Sequence, residues 1–183
     1  MPRQYNRRLA IRVIGPSIAY IPLTRGAFAL IDAEDADRAD EFTWFAHLHH
    51  TGNLYAVANT KGKSRTGIKL NRWLMDAVDG LFVDHINGNT LDNRRSCNLR
   101  YATRSQSSMN TKTRKDNAVG LKGICRSEGY WLVQIASNKR RFKRRCKSIE
   151  EAVIVRNMLQ AALHGSYARR VSDDPNAVPA PKP

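Results

Sequence analysis

Long apolar runs are missing from this chain of 183 residues. None approaches the ~20 residues that a membrane-spanning helix needs, so no transmembrane segment is expected. The start, Met1-Pro2-Arg3-Gln4-Tyr5-Asn6-Arg7-Arg8, is basic, but no apolar signal core follows it. Cysteine is scarce. Cys97, Cys125 and Cys146 are odd in number and widely spaced, and they form no Cys-x-x-Cys pair. Neither a zinc knuckle nor a disulfide framework is supported, and a reducing cytosol fits best. No internal repeat is visible. Acidic residues are thin in one region: Arg94 to Arg170 holds 19 Lys plus Arg against 4 Asp plus Glu. The remainder holds 12 of each sign, so the whole excess of +15 sits in that segment. Such concentration predicts a polyanionic partner, and nucleic acid is the natural one. No basic amphipathic helix with bulky apolar anchors is present, so a membrane surface is not expected.

Three parts and a tail follow from local patterning. Ala19 to Leu23 and Ala27 to Ile31 read as strands around the turn Thr24-Arg25-Gly26. Asp32 is placed to cap a short acidic helix over Ala33 to Phe42. Trp44 to Leu48 and Leu54 to Ala58 read as a hairpin, and Gly67 to Ala77 as a strand passing into a helix. His47, His49 and His50 cluster on that hairpin, without the carboxylate or thiolate spacing of a metal site. From about Asp116 to Arg170 the pattern is three strands and then a helix. Residues Ser172 to Pro183 are rich in Pro, Ala and Asp and are expected to be disordered.

Chemistry concentrates in Val83-Asp84-His85-Ile86-Asn87-Gly88-Asn89-Thr90-Leu91-Asp92-Asn93 and the following Asn98-Leu99-Arg100. Phosphodiester hydrolysis needs an activated water, neutralised phosphate charge and help for the leaving oxygen, and one divalent cation can supply the last two. Asp84 offers a hard anionic oxygen and Asn98 a neutral one, a set that suits magnesium or manganese. His85, next in sequence, projects the opposite way if both sit on a strand, and can then serve as general base near neutral pH. Gly88 permits a tight turn, and Asn93 can bond the backbone across the loop.

These residues, Asp84-His85-Ile86-Asn87-Gly88-Asn89 through Leu91-Asp92-Asn93-Arg94-Arg95 and Asn98-Leu99-Arg100, closely resemble the HNH endonucleases of bacteriophages, in the version whose last histidine is asparagine. Ile21-Pro22-Leu23-Thr24-Arg25-Gly26 and Ala29-Leu30-Ile31-Asp32 are similar to the N-terminal segment of that family. The resemblance implies a ββα-metal catalytic unit. His85 is then the general base, Asp84 and Asn98 hold the metal, and Asn93 orients the loop. It also implies DNA strand cleavage leaving a 5′ phosphate. Arg94 and Arg95 stand where they can grip the cleaved strand.

A second resemblance covers the third part. Val119-Gly120-Leu121-Lys122-Gly123-Ile124, Tyr130-Trp131-Leu132-Val133-Gln134-Ile135, Ile149-Glu150-Glu151-Ala152 and His164-Gly165-Ser166-Tyr167-Ala168-Arg169 look like the ethylene-response-factor (APETALA-type) DNA-binding domain. That domain presents a three-stranded sheet to the DNA major groove, backed by a helix. The residues agree: Trp131, Val133 and Ile135 alternate with Leu132, Gln134 and Ala136, giving one apolar face. Ile149, Val153, Leu159 and Leu163 fall near helical spacing, and Ser148 with Glu151 fits a capping box. Gln134 is a candidate base reader, and Lys122 and Arg126 are candidate phosphate contacts. On the last strand, alternation turns Arg141, Lys143 and Arg145 toward DNA, whereas alignment with the domain turns Arg140, Phe142 and Arg144 outward. Alternation avoids burying Lys143.

Two departures bear on the nuclease reading. Asn71-Arg72 stands where the family usually has His-Arg, and the interval from Asn93 to Asn98 is one residue longer than usual, with Cys97 as the extra. The expectation is therefore an α+β protein. Residues 1–115 form an N-terminal region of small strands with an HNH core (motif 83–106), 116–171 a three-stranded antiparallel sheet on one helix, and 172–183 a tail. The function expected is a phage homing-type, metal-dependent HNH endonuclease using magnesium or manganese on double-stranded DNA. It would work in the cytoplasm of an infected bacterial cell, with no membrane or obligate protein partner. The alternative is a DNA-binding protein with a decayed nuclease centre, acting as a regulator or as a phage factor against its host.

Overall fold

The computed structural model describes residues 10–60, 66–114 and 116–169. The expected tail at 172–183 lies outside the described residues. The chain forms two compact units: residues 1–85 with 89–101, and residues 86–88 with 102–183. The architecture is mixed, with small sheets and few helices. No described helix is long and apolar enough to cross a membrane.

In the first unit, β1 (Arg12–Val13), β2 (Ile18–Pro22) and β3 (Phe28–Asp32) form an antiparallel sheet in that order. Alternation sets the core face: Ala19 and Ile21 of β2 and Ala29 and Ile31 of β3 are buried. The helix expected over Ala33 to Phe42 is shorter. A 3-10 turn, Ala33–Asp35, leads into α1 (Ala36–Ala39). The Trp44 indole donates 2.8 Å to the Ala39 carbonyl, so a side chain takes the acceptor that a longer helix would use.

A second antiparallel sheet follows: β4 (Phe45–Leu48), β5 (Leu54–Asn59) and β6 (Gly67–Lys69), with β6 running straight into α2 (Leu70–Leu74). Its inner row is small, with Ala46 paired to Ala56 and Ala58 to Ile68, so the core residues of the first sheet and Leu70 and Leu74 of α2 approach closely. Phe42, Trp44 and Trp73 close one side, with ring centroids 5.3–5.7 Å apart. The outer row carries His47 opposite Tyr55, and Val57 opposite Lys69. Then β7 (Phe82–His85) pairs with β8 (Leu99–Ala102) across an irregular connection.

The second unit contains α3 (Arg104–Met109), opened by a complete Thr103/Gln106 capping box. After it come β9 (Ile124–Ser127), β10 (Tyr130–Ser137), β11 (Arg140–Cys146) and α4 (Ile149–His164). The three strands make an antiparallel sheet with β10 central. Ile124, Val133, Ile135 and Cys146 form its apolar face, against Ala152, Ile149, Val153 and Leu159 of α4. Ser148 accepts from the Glu151 amide at the helix start, while the Glu151 carboxylate reaches back to the Lys147 amide rather than to that of Ser148. Gly123 adopts φ +86°, and a Cβ there would stand 2.9 Å from the Gln134 carbonyl oxygen.

Leu70 is wholly buried between the sheets of the first unit. Leu70→Ala is expected to destabilise that unit by about 2–5 kcal/mol through lost burial and a cavity; urea unfolding followed by tryptophan fluorescence measures it.

Candidate functional site

Asp84 and His85 are the last two residues of β7, and both are buried. Two residues upstream on α2 hold this strand in place. The Asn71 amide donates 3.2 Å to the Val83 carbonyl, and Arg72 donates 2.9 Å to the Leu81 carbonyl. Asn71, which replaces the expected histidine, thus supports the backbone immediately before Asp84. Gly88 takes φ +70°, the left-handed conformation that the turn was expected to need.

The connection between β7 and β8 has almost no regular structure, and polar bonds define its path. Asn93 is 1% exposed, and its amide oxygen lies 3.3 Å from His85 Nε2. An amide oxygen only accepts, so Nε2 carries the proton and Nδ1 carries the basic lone pair. The Asn93 nitrogen, Nδ2, is buried with no hydrogen-bond partner among the described residues. Asn98 is also buried, and its NH2 donates 2.6 Å to the Asp92 carbonyl. The extra residue of this interval is taken up in a turn: the amides of Asn98 and Leu99 both reach the Arg94 carbonyl, and Cys97 is exposed. Asn98 therefore stays inside although the loop is longer.

Burial lowers the His85 pKa below its ordinary 6.5, and the Asn93 hydrogen bond and the Asp84 and Asp92 charges offset this only in part. The imidazole is thus neutral at physiological pH, the form a general base requires. The sequence did not single out the partner of Asp84. Arg100, on β8, donates from Nε at 3.0 Å and from Nη2 at 2.8 Å, both to Asp84 Oδ2. The available signal was an arginine two residues after Asn98, on the strand paired with β7. Tyr55, from β5, also stands beside the site, its ring 6.3 Å from that of His85. Burial and the Asp84 charge raise its pKa.

The donor set tests whether a divalent ion fits. Asp84 supplies a buried carboxylate already matched to a cation, and Asn98 supplies an amide oxygen; both are hard donors of the kind magnesium and manganese take. The residues fit. Asp32, Glu34 and Asp35 also gather their oxygens, but Arg95 and Ser96 bind these carboxylates.

The two loop arginines sit differently from the grip expected of them. Arg94 forms a two-bond pair with Asp92, at 2.8 and 2.7 Å, which raises its already high pKa further. Arg95 does the same with Asp35 and also reaches Glu34. Both guanidiniums shape the loop from the protein side.

In the second unit, register assigns the faces of the sheet. Leu132 pairs with Arg145, Gln134 with Lys143 and Ala136 with Arg141, all on the side away from α4. Paired residues share a face, so Arg141, Lys143 and Arg145 lie in the outer row with Gln134, and Arg145 stacks 4.7 Å over the Tyr130 ring. Arg140 and Arg144 pair with buried Ser137 and Val133, in the row of the core, although both are exposed. Arg126 pairs with Trp131 and stacks over its ring at 4.7 Å, again on the core-side row. Lys122 spends its ammonium on the carbonyls of Ser108, Met109 and Thr111 and on the Thr111 hydroxyl, at 2.6–3.3 Å, around the end of α3. Of the two phosphate contacts expected on β9 and the segment before it, neither stands beside Gln134 in the outer row.

Comparison with known proteins agrees with the motif. A family described as HNH endonuclease matches residues 78–109. Protein 3.8 of Escherichia phage T7 is 34% identical over 92 residues, covering 49% of this chain and 75% of that protein. An uncharacterized HNH endonuclease, L560, of Acanthamoeba polyphaga mimivirus is 27% identical over 179 residues, covering 91% of this chain and 88% of that protein. No solved structure matches.

The depressed His85 pKa has a readable consequence. Its ring is expected to titrate below 6.5 when followed by NMR. The neutral ring's contribution to stability is full above pH 6.5 and is lost as pH falls through the lower folded value. A midpoint at or above 6.5 contradicts the burial argument.

Proposed function

We propose, from the premise that this chain belongs to the HNH endonuclease family, that it is a phage homing-type enzyme hydrolysing phosphodiester bonds of double-stranded DNA. HNH nucleases generally use a divalent metal, and DNA is the substrate the family suggests. The observation that carries the reading is a buried, neutral imidazole next in sequence to a buried carboxylate and fixed in one tautomer by Asn93.

His85 removes a proton from the attacking water at Nδ1, since Nε2 is committed to Asn93. Asn93 holds the ring through that bond and stabilises the imidazolium that forms. Asp84 and Asn98 would hold magnesium or manganese. When bound, such an ion supplies charge neutralisation at the phosphate and at the departing oxygen. The family-matched residues 78–109 are read as carrying the ββα catalytic unit. The β9–β11 sheet with α4 is read as an ethylene-response-factor-like module that lays its outer row on the duplex, with Gln134 at base edges and Arg141, Lys143 and Arg145 at phosphates. Arg140 and Arg144, exposed at the same strand, add to the basic field. The enzyme would act in the cytoplasm of an infected bacterial cell, a setting suggested by its phage relative.

One observation favours a second reading, that of a DNA-binding protein with an inactive centre: Arg100 already occupies the Asp84 carboxylate. Plasmid incubated with magnesium or manganese separates the two. His85→Ala is expected to lose about 10²–10⁴-fold in cleavage, as removal of a general base does, while duplex binding persists. A homogeneous wild-type protein that binds but never nicks with either ion establishes the second reading. Replacing Arg141, Lys143 and Arg145 together by Gln is expected to weaken duplex binding about tenfold or more at low salt. Unchanged affinity in a fluorescence-anisotropy titration removes the outer row from the interface.

A further inference from the structure

Most cations around the catalytic loop are already engaged. Arg72 bonds a carbonyl, and Arg94, Arg95 and Arg100 each bond a carboxylate. Lys69 differs. It is the last residue of β6, half-buried, with no carboxylate or carbonyl partner among the described residues. Its ammonium lies 4.6 Å from the centroid of the Tyr55 ring. That ring is in turn 6.3 Å from the His85 ring, tilted by 64°. On the same sheet, the His49 ring meets Tyr55 edge-on at 5.7 Å. The sheet register explains the grouping: Tyr55 and Val57 share the outer row of β5, and Lys69 pairs with Val57.

An ammonium needs strong acceptors, and a neutral aromatic face is a modest substitute, worth about 0.5–1 kcal/mol at exposed sites. It holds the side chain in place without satisfying its three donors. A cation fixed in this way, beside a base and without a counter-ion, is suited to an anionic oxygen brought by a ligand. Electrostatic groups aimed where charge develops need no reorganisation when the reaction occurs. Resting on the nuclease reading above, we infer that Lys69, seated on Tyr55, contacts a backbone phosphate of the DNA strand that enters the His85 site. Lys69 thereby anchors that strand for attack. The contact carries no base information and acts on any sequence.

Two measurements test this. The first needs no hydrolysis: duplex affinity in EDTA across a salt series. Lys69→Met is expected to flatten the slope of log K against log salt by about one unit, the signature of one lost phosphate contact. The second is single-turnover cleavage at saturating DNA with manganese. Lys69→Met is expected to be at least about tenfold slower, and Lys69→Arg to recover part of the loss. Thermal midpoints of the variants guard against unfolding. An unchanged slope overturns the inference whether or not the wild type cleaves. A flattened slope with a wild-type rate places the contact away from the reacting strand and overturns the anchoring role. A wild type that never cleaves sinks the nuclease reading, and the slope alone then decides whether Lys69 meets a phosphate.

Discussion

The parallel bridge between Leu30 and Asp92 is the constraint on which the site depends. Leu30 donates to the Leu91 carbonyl at 2.8 Å and accepts from the Asn93 amide at 2.7 Å. A loop rich in Asn, Asp, Gly and Thr, in which Leu91 packs on the core, has little apolar surface to bury, so packing alone cannot fix it. Instead it borrows the rigidity of β3. Ser96 donates to Asp32 at 3.0 and 2.6 Å, Arg95 reaches Asp35, and Thr90 donates 2.6 Å to the Leu54 carbonyl on β5. These bonds place Asn93 against His85 and keep Asn98 inside. Each neutral bond contributes only about 1 kcal/mol. Breaking one leaves a buried polar group stranded, and that penalty gives the path its definition.

The acidic residues of the first unit acquire a purpose in this light. Asp32, Asp35 and Asp92 are almost wholly buried, and each receives a charged or polar donor from the segment Arg94 to Ser96. Removing a donor leaves a carboxylate inside without its partner, a penalty that the partial exposure of Arg94 and Arg95 moderates. Four acids of the first unit, Asp32, Asp35, Asp84 and Asp92, are therefore matched inside it. Part of the positive excess of the second unit, Arg141, Lys143 and Arg145, lies on the outer row of a sheet, where Arg141 and Lys143 form no ion pair among the described residues. One chain thus uses arginine in two ways, and composition alone does not separate them.

That distinction marks how far the sequence can be read. Alternation of Trp131, Val133 and Ile135 reveals the sheet face, because period two depends only on the strand itself. Asp84 and His85 stand out because their chemistry is local. The fate of Arg95 is illegible: its partner Asp35 lies 60 residues away, and only the tertiary path brings them together. The bonds of Lys122 are hidden for the same reason, since only the tertiary path brings its ammonium to the carbonyls at the end of α3. Tyr55 and Lys69 carry no motif at all. Tyr55 stands beside His85, and Lys69 over Tyr55, only because the tertiary path of β5 and β6 brings them there.

Asp84, the carboxylate proposed to hold a metal, is kept inside the fold by the chain's own cation. A bare carboxylate at that depth would cost several kcal/mol, and Arg100 offsets this from the neighbouring strand. On the nuclease reading proposed above, the same pair sets a condition on metal loading, because two Arg100 bonds converge on Oδ2. A divalent ion must share that carboxylate with the guanidinium or displace it, so its binding free energy is reduced by whatever the ion pair contributes. A guanidinium released there, among DNA phosphates, has a ready acceptor in the substrate itself. Loading of metal and arrival of DNA are therefore expected to favour one another, each lowering the cost of opening the pair for the other.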